Sequence, residues 1–529
     1  MVTVMAEIWP KLCALAKEEL MANEKTERKP ILYRFLDWVE RTGNKLPHPF
    51  MMFVFLMVAV IVLSAILGAL KIEVKHPSKD AMVAIRSLLS ADGIKYMFID
   101  LTKNFVGFAP LGLVLTMMLG IGLAEQVGLM NAMMKRFISG APQQLLVPII
   151  FLVGICGNIA SDAAVIIIPP LAGAIFYAAK RNPLVGIAIG YSAACAGFTA
   201  NLIIVGTDAL LAGITLEAAK IIDPNVAVSP AVNYFFMIVS TIILTIVGTW
   251  TTLFVEKKMG PYTPKAGFAV QETSMEVTDV EKKALRSVGI ATLIYWGTVV
   301  AVLWPKNSLF RNAQGGLVPS PFLSGIIAFL FLWFVLIGVV YGRKVQLIKN
   351  GGDVAKHMAN AMKDMSGYIV LVFVIAQFVS YFNWSNMGLV LAVSLGNLLK
   401  AWNFTGIAMV VAVIIFTMFV NLFIGSGSAK WALLAPVFVP MFMLLGYSPA
   451  FAQVAYRIGD STTNSISPLF PYFPILLGFL RRYDEDAGIG TVMAMTIPYS
   501  LIFGIVWIIQ IIVWMVFKLP LGPGAGVYL

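Results

Sequence analysis

The chain has 529 residues, of which 59% are apolar before glycine is counted and only 12% are charged. Soluble domains contain about 45–50% apolar residues with glycine included and about 25% charged residues, and a soluble protein this apolar cannot cover its surface with polar groups. These values exclude an ordinary globular enzyme, a disordered chain and a disulfide-rich secreted module. They predict an all-α polytopic membrane protein.

The net charge of +11 does not indicate a nucleic-acid partner, because the basic residues lie in short segments between apolar runs. Basic residues in that arrangement orient a membrane protein by staying on the cytoplasmic side. Residues 1–45 are charged and amphipathic and lack the apolar core and cleavage site of a signal peptide. We therefore expect residues 1–45 to form a cytoplasmic N-terminal extension.

Apolar runs long enough to cross a bilayer occur throughout the chain, since a crossing needs about 20 residues. Uninterrupted runs lie at about 50–70, 105–124, 230–255, 284–303, 322–341, 366–384 and 491–517. Two more segments, at about 184–203 and 451–480, are long enough but contain polar residues. We expect the uninterrupted runs to be membrane-spanning helices and the other two to be broken ones.

Two further apolar segments, at about 145–178 and 405–446, are each broken by a polar knot. The knots are Gly157–Asp162 and Gly425–Lys430. Backbone that leaves the helix at membrane depth must be buried in protein or line a wet cavity, because lipid cannot satisfy its amides. The knots are therefore loops outside the bilayer or tips of re-entrant hairpins.

The charged loops predict the orientation. The segments 256–286 and 342–364 and the pair Arg481–Arg482 are rich in bases and are placed in the cytoplasm. The segment 304–321 holds two bases and is placed outside, as is 71–103, which balances six bases with four acids. This order puts the C-terminus in the periplasm.

Internal repetition divides the chain into two halves. When Ser161 is aligned with Ser428, 267 positions later, Pro169 falls on Pro436, and in each half a second broken segment follows the knot. Corresponding interrupted segments in two halves indicate a secondary transporter built from inverted repeats.

The predicted division gives each half one hairpin. The first half is 46–255 with hairpin 1 at about 145–178, and the second is 287–529 with hairpin 2 at about 425–446. Between them lies a cytoplasmic linker at 256–286.

Ionisable residues inside apolar segments indicate a functional role, because inserting each of them into the bilayer costs at least about 2.5–3.5 kcal/mol of free energy. Asp162, Asp208, Arg457 and Asp460 are such residues. Arg457 and Asp460 are one helical turn apart, so they form a structural ion pair, or Arg457 holds a substrate carboxylate while Asp460 binds a coupling cation or proton. Asp208 has no nearby base in sequence, which suits reversible protonation or capping of a helix that begins at Ala209.

The knots offer oxygen ligands of the kind that Na⁺ prefers, from Asn158, Ser161, Ser426 and Ser428. Trp431 either covers an aromatic substrate or belongs to the interfacial aromatic belt. The sequence contains no Walker loop, dinucleotide glycine motif, Ser/His/Asp set or paired-cysteine motif. It therefore predicts neither an enzyme nor a cofactor, but H⁺ or Na⁺ as a coupling ion.

Five motifs resemble signatures of the AbgT family of p-aminobenzoyl-glutamate transporters and span nearly the whole chain. They are Leu46–Pro49, Asn104–Gly112, Asp208–Thr215, Gly425–Trp431 and Ala455–Asn464 with Pro468. The resemblance implies a homodimer of the ion-transporter superfamily type, with about nine transmembrane helices and two re-entrant hairpins per subunit. It also implies p-aminobenzoyl-glutamate import or sulfonamide antimetabolite export, driven by an ion gradient.

The resemblance marks functional positions, namely Asp208, Ser428, Trp431, Pro449, Arg457, Asp460 and Pro468, and it makes Trp431 a ring that stacks on the aminobenzoyl group. The sequence departs from the family pattern in two places. The first tip reads Gly157-Asn158-Ile159 and lacks two hydroxyls. Lys430 replaces a neutral amide and either faces the cavity or snorkels.

These observations lead to one functional hypothesis, a multi-pass inner-membrane transporter that moves an anionic aromatic small molecule by alternating access. The expected partners include membrane lipid and no nucleic acid. The expected substrate-binding residues are Arg457, Trp431, Ser428, Asp460, Asn464 and Pro468. The expected ion-coupling residues are Asp208, Asp460, Asn158, Ser161, Ser426 and Asn201. The expected gating residues are Pro449, Pro436 and Pro169.

Three alternatives stay open. A dicarboxylate transporter of the same architecture needs the arginine but no aromatic platform. A passive channel or a non-transporting membrane subunit predicts no accumulation against a gradient. A membrane peptidase or transferase lacks a nucleophile–base set.

Overall fold

The computed structural model describes Trp38 and residues 47–75, 81–160, 163–262 and 277–529 and is almost entirely helical. The first half contains, in chain order, α1 (Pro49–Ala69), β1 (Glu73–Lys75), β2 (Met82–Ala84), α2 (Ala91–Ile99), α3 (Leu101–Val106), α4 (Ala109–Gln126), α5 (Leu129–Ser139), α6 (Leu146–Cys156), α7 (Ala163–Ala178), α8 (Pro183–Ala196), α9 (Gly206–Ala219) and α10 (Tyr234–Met259). The two strands form an antiparallel hairpin in which Val74 faces Val83.

The second half contains helices only. They are α11 (Asp279–Leu303), α12 (Pro321–Ser324), α13 (Ile326–Lys344), α14 (Gly351–Asp364), α15 (Ser366–Trp384), α16 (Met387–Ala401), α17 (Gly406–Asn421), α18 (Gly427–Leu444), α19 (Pro449–Thr462), α20 (Phe473–Arg481) and α21 (Ile489–Phe517).

Eight of the described helices are long and apolar enough to cross a membrane: α1, α4, α10, α11, α13, α15, α18 and α21. A ninth crossing is counted if α5 and the segment Gln143–Ile159, which meet at 115°, form one broken span. Each uninterrupted run of the sequence coincides with one of these helices, because lipid leaves a spanning backbone no partner but itself. The prediction of an all-α membrane protein is confirmed.

Two pairs of helices form the hairpins, and α18, one of the eight long helices, is an arm of the second. Hairpin 1 consists of α6 and α7, and hairpin 2 consists of α17 and α18. The knot of hairpin 2 differs from the prediction, because the break covers 422–426 and Gly427 already belongs to α18, capped by Ser426. The predicted range 425–446 therefore covers only the second arm, and the predicted linker 256–286 shortens to 260–278 because α10 and α11 extend into it.

The tip of hairpin 1 is a 3-10 turn at Gly157–Ala160. Two residues singled out from the sequence at this tip, Ser161 and Asp162, lie outside the described residues, as does almost all of the extension 1–45.

The two hairpins enter the molecule from opposite faces. At the base of hairpin 1, Arg181 pairs with Glu256 at 2.7 Å, near the end of α10. At the base of hairpin 2, the Ser448 N–H donates to the Val527 carbonyl at 2.9 Å, beyond the end of α21. The Tyr262 hydroxyl, after the end of α10, donates to the Tyr483 carbonyl, before the start of α21, so these two helix ends share one face. The base of hairpin 1 lies at the start of α21 and the base of hairpin 2 at its end, so the two bases lie on different faces.

The innermost elements are α8 and α19, the helices that follow the hairpins. Each has 14 residues, and all of them are buried. Each begins with a proline at its first position, where no amide hydrogen is needed, after a side-chain cap from Asn182 or Ser448. Their C-terminal ends meet the hairpin tips in the centre of the molecule.

Candidate functional site

A cavity of about 620 Å³ reaches from the starts of α1 and α15 to the tip of hairpin 2. This volume lies within the range of about 300–1,000 Å³ that small-molecule sites occupy. Its outer wall includes His48 and Met365, and its inner end is formed by Ser428, Asp460 and Asn464. Three predicted substrate residues therefore meet on one cavity wall, together with Ser426.

Arg457 lies behind this wall and forms an ion pair with Asp208. The guanidinium is 1% exposed and also donates to the Thr199 carbonyl at 3.4 Å. The second oxygen of Asp208 accepts the Val205 N–H at 2.8 Å at the start of α9. Asp208 therefore caps a helix, but that helix begins at Gly206 and not at Ala209 as expected, and the basic partner of Asp208 comes from another helix rather than from nearby in sequence.

Asp460 pairs with Lys430 at 2.6 Å and not with Arg457. The Lys430 side chain is fully buried and also donates to the Asn421 side-chain oxygen. The Tyr456 hydroxyl donates to the same Asp460 oxygen at 3.1 Å. The predicted alternative of an Arg457–Asp460 pair is wrong, and Lys430 neither faces the cavity nor snorkels.

Trp431 is fully buried beside this second pair. Its ring stacks on Tyr456 with centroids 4.4 Å apart, and its Nε1–H donates to the Thr215 hydroxyl at 3.0 Å. The interfacial-belt interpretation of Trp431 is therefore wrong. In this conformation the indole faces protein on both sides and not the cavity.

Asparagines hold each hairpin tip against the broken helix that follows it. In the first half, the Asn201 amide donates to the Asn158 side-chain oxygen at 2.6 Å, and the Asn158 amide donates to the Ala200 carbonyl at 3.1 Å. In the second half, the Asn421 amide donates to the Asn464 side-chain oxygen at 2.9 Å and to the Asp460 carbonyl at 2.8 Å. The two partners are 43 residues apart in both halves. We call these two arrangements the first and second asparagine clamps.

The two breaks also contact each other directly. The hydroxyls of Thr199 and Ser461 lie 2.6 Å apart, and the Thr199 hydroxyl donates to the Arg457 carbonyl at 3.3 Å. The structure therefore brings together the predicted residues of both halves. Pro468 lies in the turn after the second break, and it does not line the cavity.

The expected gating prolines all lie in or at these helices. Pro169 is inside α7, Pro436 is inside α18, and Pro449 is the first residue of α19. A proline inside a helix removes a hydrogen bond and bends the axis. Their gating role stays a prediction.

Sequence reasoning missed Asn421, Tyr456 and Thr215. The signal for Asn421 was available, because the spacing of Asn158 and Asn201 recurs at Asn421 and Asn464. Tyr456 and Thr215 carry no such signal, since their roles arise from contacts between α9, α18 and α19.

The described interior holds two charge pairs and no metal site. Among the described residues, no three His, Cys, Asp or Glu side chains are grouped closely enough to hold a metal ion. Two buried ion pairs are expensive to desolvate and do little for net stability. Their presence therefore points to the movement of a charged solute.

Comparison with known proteins shows the family of the chain. A model of the "AbgT putative transporter family" matches residues 34–529. The p-aminobenzoyl-glutamate transport protein of Escherichia coli (strain K12) is 40% identical over 489 residues, covering 92% of this chain and 96% of that protein.

Two solved structures share the fold along nearly the whole chain. The YdaH transporter of Alcanivorax borkumensis matches with a TM-score of 0.86 and 40% identity, over 90% of this chain and all of that one. MtrF of Neisseria gonorrhoeae, described as illuminating a class of antimetabolite efflux pumps, matches with a TM-score of 0.87 and 37% identity, over 93% of this chain and all of that one. The chain belongs to the AbgT family of membrane transporters.

Proposed function

We propose that this chain is an ion-gradient-driven secondary transporter of p-aminobenzoyl-glutamate that works by alternating access. The similar protein of Escherichia coli carries that substrate in its name. The observation that carries the proposal is the buried guanidinium of Arg457 behind the cavity, whose Nε has no partner among the described residues. A buried guanidinium with a free donor suits a carboxylate, which it binds with two parallel hydrogen bonds.

The substrate carboxylate takes Arg457 from Asp208 in this proposal. Asp208 already holds the guanidinium, so a carboxylate that enters from the cavity competes with it. The aminobenzoyl ring then lies against the Trp431–Tyr456 stack, near Ser428, Asn464 and Pro468. Because Arg457 and Trp431 are buried now, binding requires the second hairpin or α19 to move.

Ion coupling is assigned to the carboxylates that change partner. Release of Asp208 from Arg457 leaves a buried carboxylate, which takes up a proton or a cation because an unpaired charge is costly there. Asp460, at the cavity wall, is the second candidate. For Na⁺ as the alternative to H⁺, the proposed oxygen ligands are Asn158, Ser161, Ser426 and Asn201.

The proposed location is the bacterial inner membrane, with a cytoplasmic N-terminus, a periplasmic C-terminus and a homodimeric assembly. The hairpin bases support this orientation. The base of hairpin 1 is flanked by four cations (Lys135, Arg136, Lys180 and Arg181), whereas the base of hairpin 2 is flanked by two, Lys400 and Lys518, of which Lys518 lies over the Tyr528 ring that stacks on Tyr447. Loops rich in bases stay in the cytoplasm, which supports a cytoplasmic base of hairpin 1.

The proposal is tested in proteoliposomes with labelled p-aminobenzoyl-glutamate and with Na⁺ and H⁺ gradients imposed separately. Accumulation against a concentration gradient is expected with one of the two ions and distinguishes a carrier from a channel. Arg457→Ala is expected to weaken binding by about 2–5 kcal/mol. Arg181→Ala, which breaks the pair at the base of hairpin 1, is the matched control. Wild-type uptake by Arg457→Ala contradicts the assigned role.

Efflux of sulfonamide antimetabolites is a second candidate function, favoured by the similarity to MtrF. A sulfonamide keeps the aminobenzene ring but has no glutamate carboxylates, so its transport depends on Trp431 more than on Arg457. Competition by succinate together with indifference to Trp431→Ala favours the dicarboxylate alternative instead.

A further inference from the structure

We infer that the Lys430 ammonium occupies a site that would otherwise bind a free cation such as Na⁺, so that this transporter works without Na⁺. The inference deepens the proposed function, since it specifies the ion coupling of the same site. It starts from the surroundings of Lys430, which are those of a small cation.

The Lys430 ammonium is held by oxygens from two other helices. Asp460 of α19 lies 2.6 Å from Nζ, and the Asn421 side-chain oxygen, at the end of α17, accepts from it. A carboxylate and an amide oxygen around one point are the ligands that Na⁺ and other hard cations take. The site is therefore suited to a monovalent cation, and the chain fills it with its own side chain.

The start of α18, the helix that carries Lys430, packs closely against the Asp460 carboxylate. Gly427 approaches Asp460 so closely that a Cβ at this position would lie 3.0 Å from Oδ2. The carboxylate thereby lies against the N-terminus of α18, where the helix dipole favours a negative charge. Asp460 also lines the cavity, so its carboxylate is the member of the ion pair that lies next to the cavity.

The first asparagine clamp shows what the same scaffold does without the lysine. The Asn201 amide donates to the Asn158 side-chain oxygen, and the Asn158 amide donates to the Phe198 and Ala200 carbonyls. Nine residues after Asn421 the chain has Lys430, but nine residues after Asn158 it has Ile167. The cation is thus a feature of the second half and not a requirement of the clamp.

Lys430 occupies the carboxylate site at the second tip, and the side-chain oxygens of Asn158 and Asn201 in the first clamp already accept N–H groups. H⁺, and not Na⁺, is therefore the ion that a gradient supplies. The titratable groups around Lys430 are Asp460 and Tyr456 from α19, with the Arg457–Asp208 pair one turn away between α19 and α9. From α17 no charged residue faces Lys430, and the charged residue of α16 is Lys400 at the far end.

The test compares thermal unfolding of the purified full chain in NaCl and in choline chloride at equal ionic strength. The wild type is expected to unfold at the same temperature in both salts. Lys430→Gln vacates the site, so Na⁺ is expected to raise its unfolding temperature by about 2 °C or more. Lys400→Gln, a lysine removal at the outer end of hairpin 2, is the matched control and is expected to behave like the wild type.

A second variant and a flux measurement complete the test. Lys430→Gln combined with Asp460→Asn removes the carboxylate and is expected to lose the response to Na⁺. In proteoliposomes, wild-type flux is expected to change less than about twofold when choline replaces Na⁺, while Lys430→Gln flux falls by about tenfold.

Stabilisation of the wild type by Na⁺, or a folded Lys430→Gln without a Na⁺ response, overturns the inference. If Lys430→Gln does not fold, the wild-type responses decide alone: flux and unfolding that ignore Na⁺ support the inference, and Na⁺-dependent ones overturn it. Failure of the proposed substrate is distinguishable, because it abolishes flux in every salt and leaves the unfolding comparison intact.

Discussion

The helices α8 and α19 are matched in construction and opposite in chemistry. Both have 14 buried residues and begin with a capped proline. Counted from that proline, the ninth and twelfth residues are Tyr191 and Ala194 in α8 but Arg457 and Asp460 in α19. The repeat therefore supplies the scaffold twice, and only the second half places charges on it.

The hairpin tips show the same difference. In the first clamp, amide and carbonyl groups satisfy one another. In the second, the Asn421 oxygen is taken by Lys430, and the Asn464 amide reaches the Cys195 carbonyl at 3.4 Å in the other half. We therefore propose that the second half holds most of the ion and substrate chemistry, and that Asp208 is the contribution of the first half.

The largest effect is expected from Asp460→Asn, because it leaves the fully buried Lys430 ammonium without its counter-charge. Removing one partner of a buried pair costs about 3–5 kcal/mol, so thermal unfolding of the purified protein shifts to a clearly lower temperature. Combining the change with Lys430→Met removes both charges and is expected to recover most of the loss. An unchanged unfolding temperature for Asp460→Asn means that the pair contributes nothing.

Asp208→Asn is expected to change stability and binding in opposite directions. It weakens the hold on Arg457, at a stability cost of up to about 2–5 kcal/mol, but it also removes the competitor for the substrate carboxylate. Substrate binding by the solubilised protein is therefore expected to tighten by up to about tenfold, while gradient-driven accumulation is lost. Weaker binding in this variant rules out competition between Asp208 and the substrate.

Matched substitutions in the two clamps measure how far the halves differ. Asn158→Ala and Asn421→Ala each leave buried groups without partners, at a cost of about 1–3 kcal/mol. Only Asn421→Ala is expected to alter the ion dependence of flux, since only that residue contacts Lys430. Equal flux profiles for the two variants would remove the functional distinction between the clamps.

The smallest effect is expected from Trp431→Phe. Phenylalanine keeps a ring on Tyr456 but loses the hydrogen bond to Thr215, which is worth about 1 kcal/mol. Uptake is expected to fall only slightly, whereas Trp431→Ala also loses the stack. Thr215→Val is the control that removes the same hydrogen bond from the other side, together with the bond that the Thr215 hydroxyl donates to Gln453. A large loss in Trp431→Phe alone would assign the indole a direct role.

The sequence was sufficient for the features that lipid dictates. Spans such as Pro49–Ala69 follow from apolar length alone, and the knots followed from polar residues within apolar runs. It was not sufficient to predict which charged residues form ion pairs. Arg457 and Asp460 are one turn apart in sequence, but their partners, Asp208 and Lys430, come from other helices. The tip of hairpin 2 was misplaced by a few residues because Ser426, read as a loop residue, is the cap of α18.

The opposite entry of the hairpins has a consequence for biogenesis. Because the hairpins enter from opposite faces, insertion of the nascent chain must carry the base of one hairpin through the bilayer. The base of the other hairpin stays on the side on which it is synthesised. The base of hairpin 2 costs less free energy to move through the bilayer, since the connection 402–405 between α16 and α17 has no charged residue. With the base-rich loops in the cytoplasm, as proposed, we expect the later hairpin to be the one whose base the insertion machinery translocates.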